Sequence, residues 1–237
     1  MGWNKNRERL HEAAFSSVRA ISNKKGLTSS TGLSQRPPIE KNIIIPSAPR
    51  SSKDLNKWRG ESDYQAFWHL FHKKTKELPL TLNARMIFNE LEISRVELLG
   101  SSKYKGAQKN ISEYLNQRSL DIDDEKSLST LAYGANLWLK NAARFKLSNE
   151  SNNILKIFRN KYAINESIEI MGKKFVDNIE NQNEFEKLSL KFLQKLNLAK
   201  DMNDEDDDSD SANIPSINDE LENNNIEEES QLKDENE

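Results

Sequence analysis

The chain has 237 residues, no cysteine and a formal net charge of -3 at pH 7. Without cysteine it forms neither disulfides nor thiolate metal sites, which fits a reducing cytoplasm. No apolar run reaches the roughly 18 residues that cross a bilayer, so we expect no membrane contact. The small net charge hides two opposite parts. Residues 201–237 carry 16 acidic and one basic residue, whereas residues 1–200 carry 34 basic and 22 acidic residues.

The first 62 residues predict a helix and an extended basic segment that pack on the rest of the body. Apolar residues recur at helical spacing over residues 10–21, and Gly26 follows as a stop signal. Residues 27–62 are rich in Ser, Thr, Gly and Pro, and their prolines are incompatible with a helix. Within them, the three isoleucines at 43–45 indicate a short edge strand or a clip laid over the helices.

Residues 63–199 predict a helical domain. Its first helix starts at Tyr64, with Ser62 or Asp63 as the cap, and Pro79 closes it. Apolar residues at helical spacing predict further helices over residues 82–99, 102–118, 126–145, 151–161, 166–180 and 184–199. Few segments alternate with a period of two, so the predicted fold class is all-α.

Residues 200–237 form the third predicted segment, an acidic linker or tail. They contain no aromatic residue and few aliphatic ones, so they cannot bury enough apolar surface to offset their chain entropy. We therefore predict that they are disordered. The acidic run at 204–210 lacks the glycine and the glutamate that a calcium-binding loop needs, which favours a solvated linker over a metal site.

Two histidines stand three residues apart on the first helix of the domain. His69 and His72 could hold Zn²⁺ or Co²⁺ together with carboxylates from another helix. The alternative, which we favour, is that they flank the aromatic stripe and meet solvent. The sequence contains no phosphate-binding glycine loop, dinucleotide fingerprint or nucleophile elbow. It therefore predicts no catalytic residue and no bound cofactor, and these two histidines remain weak metal candidates.

Charged residues crowd the helix predicted at 82–99. Paired carboxylates there could do acid–base work, but without a pocket we favour a structural charge network. This cluster and the aromatic face that ends at His72 are also our candidates for contact with a partner protein. The candidate contact residues are Phe67, Trp68, Arg85, Glu92, Arg95 and Glu97.

The same helix carries a motif that resembles the CobT family. In that family an Arg is followed three residues later by Phe, and then Glu-x-x-Arg-Val-Glu-x-x-Gly leads into a helix with Lys, Gly and Asn. The matching positions here are Arg85, Phe88, Glu92, Arg95, Val96, Glu97, Gly100, Gly106 and Asn110. Arg19-Ala20-Ile21, Arg59-Gly60 and the acidic stretch also fit, and the resemblance covers most of residues 10–200.

The resemblance implies a role in cobalamin biosynthesis. CobT is a subunit of the aerobic, ATP-dependent cobaltochelatase, a metal–nitrogen ligase that inserts Co²⁺ into hydrogenobyrinic acid a,c-diamide. Its implied partners are the AAA+ ATPase subunit CobS and the corrin-binding subunit CobN. ATP, Mg²⁺ and Co²⁺ would be used by the assembled complex and not bound by this chain.

One departure from the family pattern limits the expected role. Family members continue past the acidic linker into a von Willebrand A-like domain with a metal-binding Asp-x-Ser-x-Ser motif. The sequence here ends within the acidic stretch, so we expect the N-terminal helical module and linker without that domain. Such a module would act in subunit assembly and would not carry the catalytic centre.

Two other functions stay open from the sequence. Residues 1–60 carry 12 basic and 4 acidic residues, which suits a polyanionic partner. The chain could be a nucleic-acid-binding helical protein with an autoinhibitory acidic tail. Because the basic residues are spread over helix and loop and not along one face, we disfavour nucleic acid as the partner. The other alternative is a helical metalloenzyme that uses His69 and His72.

Overall fold

A computed structural model describes the backbone of residues 2–38, 41–75 and 78–198. These residues contain eight α-helices and two short strands, which confirms the all-α prediction. The helices are α1 (Gly2–Ser22), α2 (Leu55–Phe71), α3 (Leu82–Lys103), α4 (Ala107–Leu120), α5 (Leu128–Ala142), α6 (Asn149–Lys161), α7 (Glu166–Asp177) and α8 (Gln182–Lys195). The predicted disorder of residues 200–237 lies outside the described residues. No described helix is both long and apolar enough to cross a membrane.

Five helices begin where a polar side chain caps the first free backbone N–H groups. In each case the side-chain oxygen accepts a hydrogen bond from the backbone N–H three residues further on. The capping residues, for α3 and α5 to α8 in chain order, are Thr81, Ser127, Ser148, Asn165 and Asn181. Local sequence therefore sets the start of these helices.

Helix α2 begins at Leu55, well before the start predicted at Tyr64. Ser62 and Asp63 do not cap it but lie buried inside it. The Ser62 hydroxyl donates to the Trp58 carbonyl at 3.1 Å, and the Asp63 carboxylate accepts from Asn110 Nδ2 at 2.7 Å. The boundary predicted between residues 62 and 63 thus falls within one continuous helix, because polar residues that serve packing resemble capping residues in sequence.

The main core surrounds α5, which packs on α3, α6 and α7. Trp138 of α5 is fully buried and stacks on Phe192 of α8, with the ring centroids 4.5 Å apart. Phe175 of α7 meets the same indole edge-on at 5.8 Å. These aromatic contacts join α5, α7 and α8 in one hydrophobic cluster.

Residues 28–38 and 41–49 form an extended segment, here called the arm, that lies on α1 and α2. Strands β1 (Thr28–Thr31) and β2 (Asn42–Ile45) pair in parallel within it. The strand predicted at residues 43–45 is therefore present, and Ile43 and Ile45 are fully buried. Gln65 of α2 holds this strand, because its side-chain amide donates to the Ile44 carbonyl and accepts from the Ile44 N–H.

Candidate functional site

The centre of the motif is a buried ion pair between α3 and α5. Glu97 Oε2 accepts from Lys140 Nζ at 2.7 Å, and both side chains are fully buried. Arg36 of the arm donates to Glu97 Oε1 at 3.0 Å, so each carboxylate oxygen meets a cation. Burial opposes ionisation of Glu97, but the charges of Lys140 and Arg36 outweigh it and lower the pKa of Glu97 from 4.5 to about 2. The ionised carboxylate therefore joins the arm, α3 and α5.

A second buried carboxylate, Glu90, lies on the same face of α3 two turns before Glu97. It accepts from both terminal nitrogens of Arg118 on α4, at 2.6 and 3.2 Å, and from Asn136 Nδ2 on α5 at 3.0 Å. The Arg118 guanidinium also covers the Tyr133 ring at 3.9 Å. Glu90 was not among the residues singled out from sequence, where only its spacing of seven residues from Glu97 could have indicated it.

The motif pair Glu92 and Arg95 joins a different set of elements. Arg95 donates to both Glu92 oxygens at 2.7 Å, and it also donates to the carbonyls of Phe71 and Ile179 at 3.0 and 3.2 Å. His72 Nδ1 lies 2.8 Å from Glu92 Oε1. Arg95 thus connects α3 to the end of α2 and to the segment between α7 and α8.

Two motif glycines lie where a side chain would not fit. A Cβ on Gly60 would collide with the backbone oxygen of Asn110, and a Cβ on Gly100 would collide with the Phe67 ring. Gly106 precedes α4 with φ at +89°, in the left-handed region that L side chains rarely adopt. Packing and backbone geometry therefore explain these three glycines.

The six candidate contact residues lie mostly in the interior. Phe67, Trp68, Glu92, Arg95 and Glu97 are buried. Arg85 is half-buried, and its Nε donates to the Pro79 carbonyl at 3.3 Å. Glu92, Arg95 and Glu97 belong to the buried charge pairs described above, and contact of any of the six with a partner protein stays a prediction.

His69 and His72 border a cavity of about 610 Å³. His69 is only 3% exposed, and its Nε2 has no hydrogen-bond partner in the described part of the chain. Burial, together with the charges of Lys24 and His72, lowers the pKa of His69 from 6.5 to about 4. The imidazole is therefore neutral at pH 7. Among the described residues no three His, Asp or Glu side chains are arranged to hold a metal ion, and the metal role of this pair stays a prediction.

The buried charge network and the cavity beside His69 differ in their chemistry. The Glu97–Lys140 pair is fully buried, so it can hold helices together but cannot exchange protons with a bound molecule. The cavity beside His69 is open to solvent and bordered by lysines that the sequence did not single out, Lys24, Lys25, Lys41 and Lys74. The excess of basic residues over residues 1–60 pointed toward Lys24, Lys25 and Lys41, and Lys74 follows His72 closely in the sequence.

The fold and the network define an all-α module whose motif residues build an internal framework. A family model described as cobalamin biosynthesis protein CobT matches residues 4–237. The chain belongs to this family, as the motif from Arg85 to Gly100 predicted. No curated protein and no solved structure matches the chain. The alternative of a nucleic-acid-binding protein gains no support from these comparisons.

Proposed function

We propose that the chain is a subunit of the ATP-dependent cobaltochelatase, which inserts Co²⁺ as a substrate into hydrogenobyrinic acid a,c-diamide. The observation that carries this proposal is the family match over residues 4–237. The subunit acts in the cytoplasm with the AAA+ subunit CobS and the corrin-binding subunit CobN. ATP and Mg²⁺ are used by the assembled complex.

We propose further that this chain contributes to subunit assembly and does not supply the catalytic centre. The supporting observation is that the motif charges are paired inside the module. Glu97 meets Lys140 and Arg36, which holds the arm, α3 and α5 together. Arg95, paired with Glu92, joins α3 to the end of α2 and to the segment between α7 and α8. A rigid framework of this kind presents a defined surface to a partner subunit, because buried and fully paired charges favour one arrangement of the helices.

Co-purification tests the assembly role. The full chain, expressed with the AAA+ subunit, is expected to form a stable complex in the presence of ATP and Mg²⁺. Arg85→Ala tests the half-buried candidate contact and is expected to weaken the complex. Arg159→Ala is the matched control, since Arg159 is a partly exposed arginine on α6 paired with Glu169.

The co-purification results test the assembly role and the contact at Arg85 separately. A full chain that never associates with the AAA+ subunit, with or without ATP, overturns the assembly role. Equal effects of Arg85→Ala and Arg159→Ala would show that Arg85 is not a specific contact. Circular dichroism of each variant distinguishes loss of the contact from loss of the fold.

A further inference from the structure

The cavity beside His69 has the size and the walls of a small-molecule site. Its volume of about 610 Å³ lies within the range of about 300–1,000 Å³ that is usual for such sites. One side is the loop after α1, a second is the arm, and the third is the end of α2 with Lys74 beyond it. Three separate segments of the chain therefore converge on one space.

Among the described residues, the charged side chains that line this cavity are lysines. Lys24, Lys25, Lys41 and Lys74 border it, all four are exposed, and no described Asp or Glu is among the residues that line it. Lysine ammonium groups on flexible stems are well suited to phosphate groups, which they bind as point charges. Four of them around one cavity indicate a ligand with several negative charges.

The inner wall of the cavity is apolar and aromatic. Trp68 stacks on His72 with the ring centroids 3.9 Å apart, and His72 is held in turn by Glu92. Leu27 and Pro38 add apolar surface. A ligand that fills this space therefore carries a flat or apolar part as well as its charges.

His69 forms part of the inner wall. It lines the cavity, is almost completely buried and leaves Nε2 without a partner in the described residues. A buried polar atom without a hydrogen bond is unfavourable, so a ligand gains a hydrogen bond where a small side-chain movement brings the shielded Nε2 within its reach. A neutral imidazole can serve as donor or acceptor to a heterocycle or a sugar hydroxyl.

We infer that this cavity binds a nucleoside polyphosphate, with the phosphates on the four lysines and the nucleoside against Trp68 and His69. A free polyphosphate would satisfy the lysines but leave the aromatic wall and His69 unused. The inference rests on the cavity alone, goes beyond the proposed function and departs from the sequence-based expectation that this chain binds no ATP. It stands or falls independently of association with the AAA+ subunit.

Calorimetry on the full chain tests it with two probes, ATP and inorganic tripolyphosphate. ATP is expected to bind with one saturable site, and tripolyphosphate at least about tenfold more weakly because it lacks the nucleoside. Lys24→Gln combined with Lys25→Gln is expected to weaken ATP binding by about tenfold. The control variant combines Lys105→Gln with Lys109→Gln and removes the same charge from exposed lysines elsewhere. It should change the affinity for ATP by less than about twofold.

NMR of the three histidines gives an independent readout. ATP is expected to shift the imidazole signals of His69 and His72, and to leave those of His11, which bonds to Thr31 on the arm, unchanged. Absence of saturable ATP binding overturns the inference, and so does an equal loss of affinity in the control variant. Tripolyphosphate that binds as tightly as ATP, or a His69 signal that does not respond, overturns the assignment of the nucleoside to the aromatic wall.

Discussion

Glu97 receives one cation on each carboxylate oxygen, in a place that water does not reach. Removing one charge from such a group leaves the other charges buried without a partner, which typically costs about 3–5 kcal/mol. Glu97→Gln is therefore expected to lower the free energy of unfolding by about that amount, because Lys140 and Arg36 lose the counter-ion that they share. Urea denaturation followed by circular dichroism measures the change.

Glu169→Gln is the matched control for this prediction. Its pair with Arg159 is partly exposed on both sides, and pairs of this kind contribute about 0–1 kcal/mol. If Glu97→Gln and Glu169→Gln lowered the free energy of unfolding equally, the Glu97 pair would stabilise the fold no more than a surface pair does.

The pH dependence of stability offers a second test at Glu97. Its pKa is lowered from 4.5 to about 2 by the two cations despite burial. The unfolded chain binds a proton at this residue below about pH 4.5, and the native chain does so only near pH 2. The stabilisation is therefore complete above pH 4.5 and is lost as the pH falls from there towards 2.

Wild type and Glu97→Gln are accordingly expected to differ most in unfolding free energy near neutral pH. The difference should shrink as the pH falls from about 5 towards 2, because the wild-type carboxylate becomes neutral as well. Denaturation curves at several pH values measure it. A difference that stays constant across this range contradicts an ionised Glu97.

At the scale of elements, the approach of α2 to α4 depends on a missing side chain. Alanine normally stabilises a helix by about 1 kcal/mol relative to glycine. In Gly60→Ala, however, the new Cβ would meet the backbone oxygen of Asn110, which cannot swing away as a side chain can. We expect a net destabilisation of about 1–3 kcal/mol, measured by thermal or chemical unfolding.

Gly26→Ala is the control, because a Cβ there meets no atom within 4 Å and its backbone is not in the left-handed region. It is expected to change stability by no more than about 0.5 kcal/mol. If Gly60→Ala were as stable as wild type, the two helices would have to lie further apart than the structure shows.

At the scale of the whole molecule, Arg36 joins the arm to the helical body. It donates to Glu97 and to the Tyr114 hydroxyl, both at 3.0 Å, and its guanidinium lies 4.1 Å from the centre of the Tyr64 ring. A two-stranded sheet is marginally stable by itself, so the arm depends on such contacts. Arg36→Ala is expected to speed amide hydrogen exchange over residues 28–38 and 41–45 while α6 to α8 keep their protection.

Arg50→Ala serves as the control for this prediction. Arg50 is an exposed arginine immediately after the arm, and its removal should leave exchange in the arm unchanged. Uniform acceleration throughout the chain in Arg36→Ala would mean that the residue supports global stability and not the position of the arm.

Much of the fold follows from local sequence, and some of it does not. Apolar spacing predicted the helices after residue 82, and the three isoleucines predicted the strand at 43–45. Local caps such as Ser127 and Asn181, which the structure shows, fix where two of these helices begin. The start of α2 at Leu55 was missed, because Ser62 and Asp63 are typical capping residues and only the tertiary structure shows that they are buried. Asp63, for example, is bonded to Asn110 on another helix. Helix boundaries that depend on residues distant in the sequence cannot be predicted from local sequence.

The residues of the candidate site were likewise only partly predictable from the sequence. The motif of Glu92, Arg95 and Glu97 was identified from sequence, and the family match supports the resemblance that it carried. The residues that pair with Glu97 were not identified from the sequence, because Arg36 and Lys140 lie 61 and 43 residues away from it along the chain. Nor was the group of lysines around His69, which comes from three segments.

The sequence by itself determined the all-α class, the family and the division of a net charge of -3 into a basic body and an acidic tail. These properties depend on composition, residue spacing and short motifs. All three can be read from the sequence without knowing how the chain folds. Only the tertiary structure decided that the charges on α3 are buried and that four lysines surround one cavity. The physical reason is that the environment of a charge is set by residues far away in sequence, and folding alone brings them together.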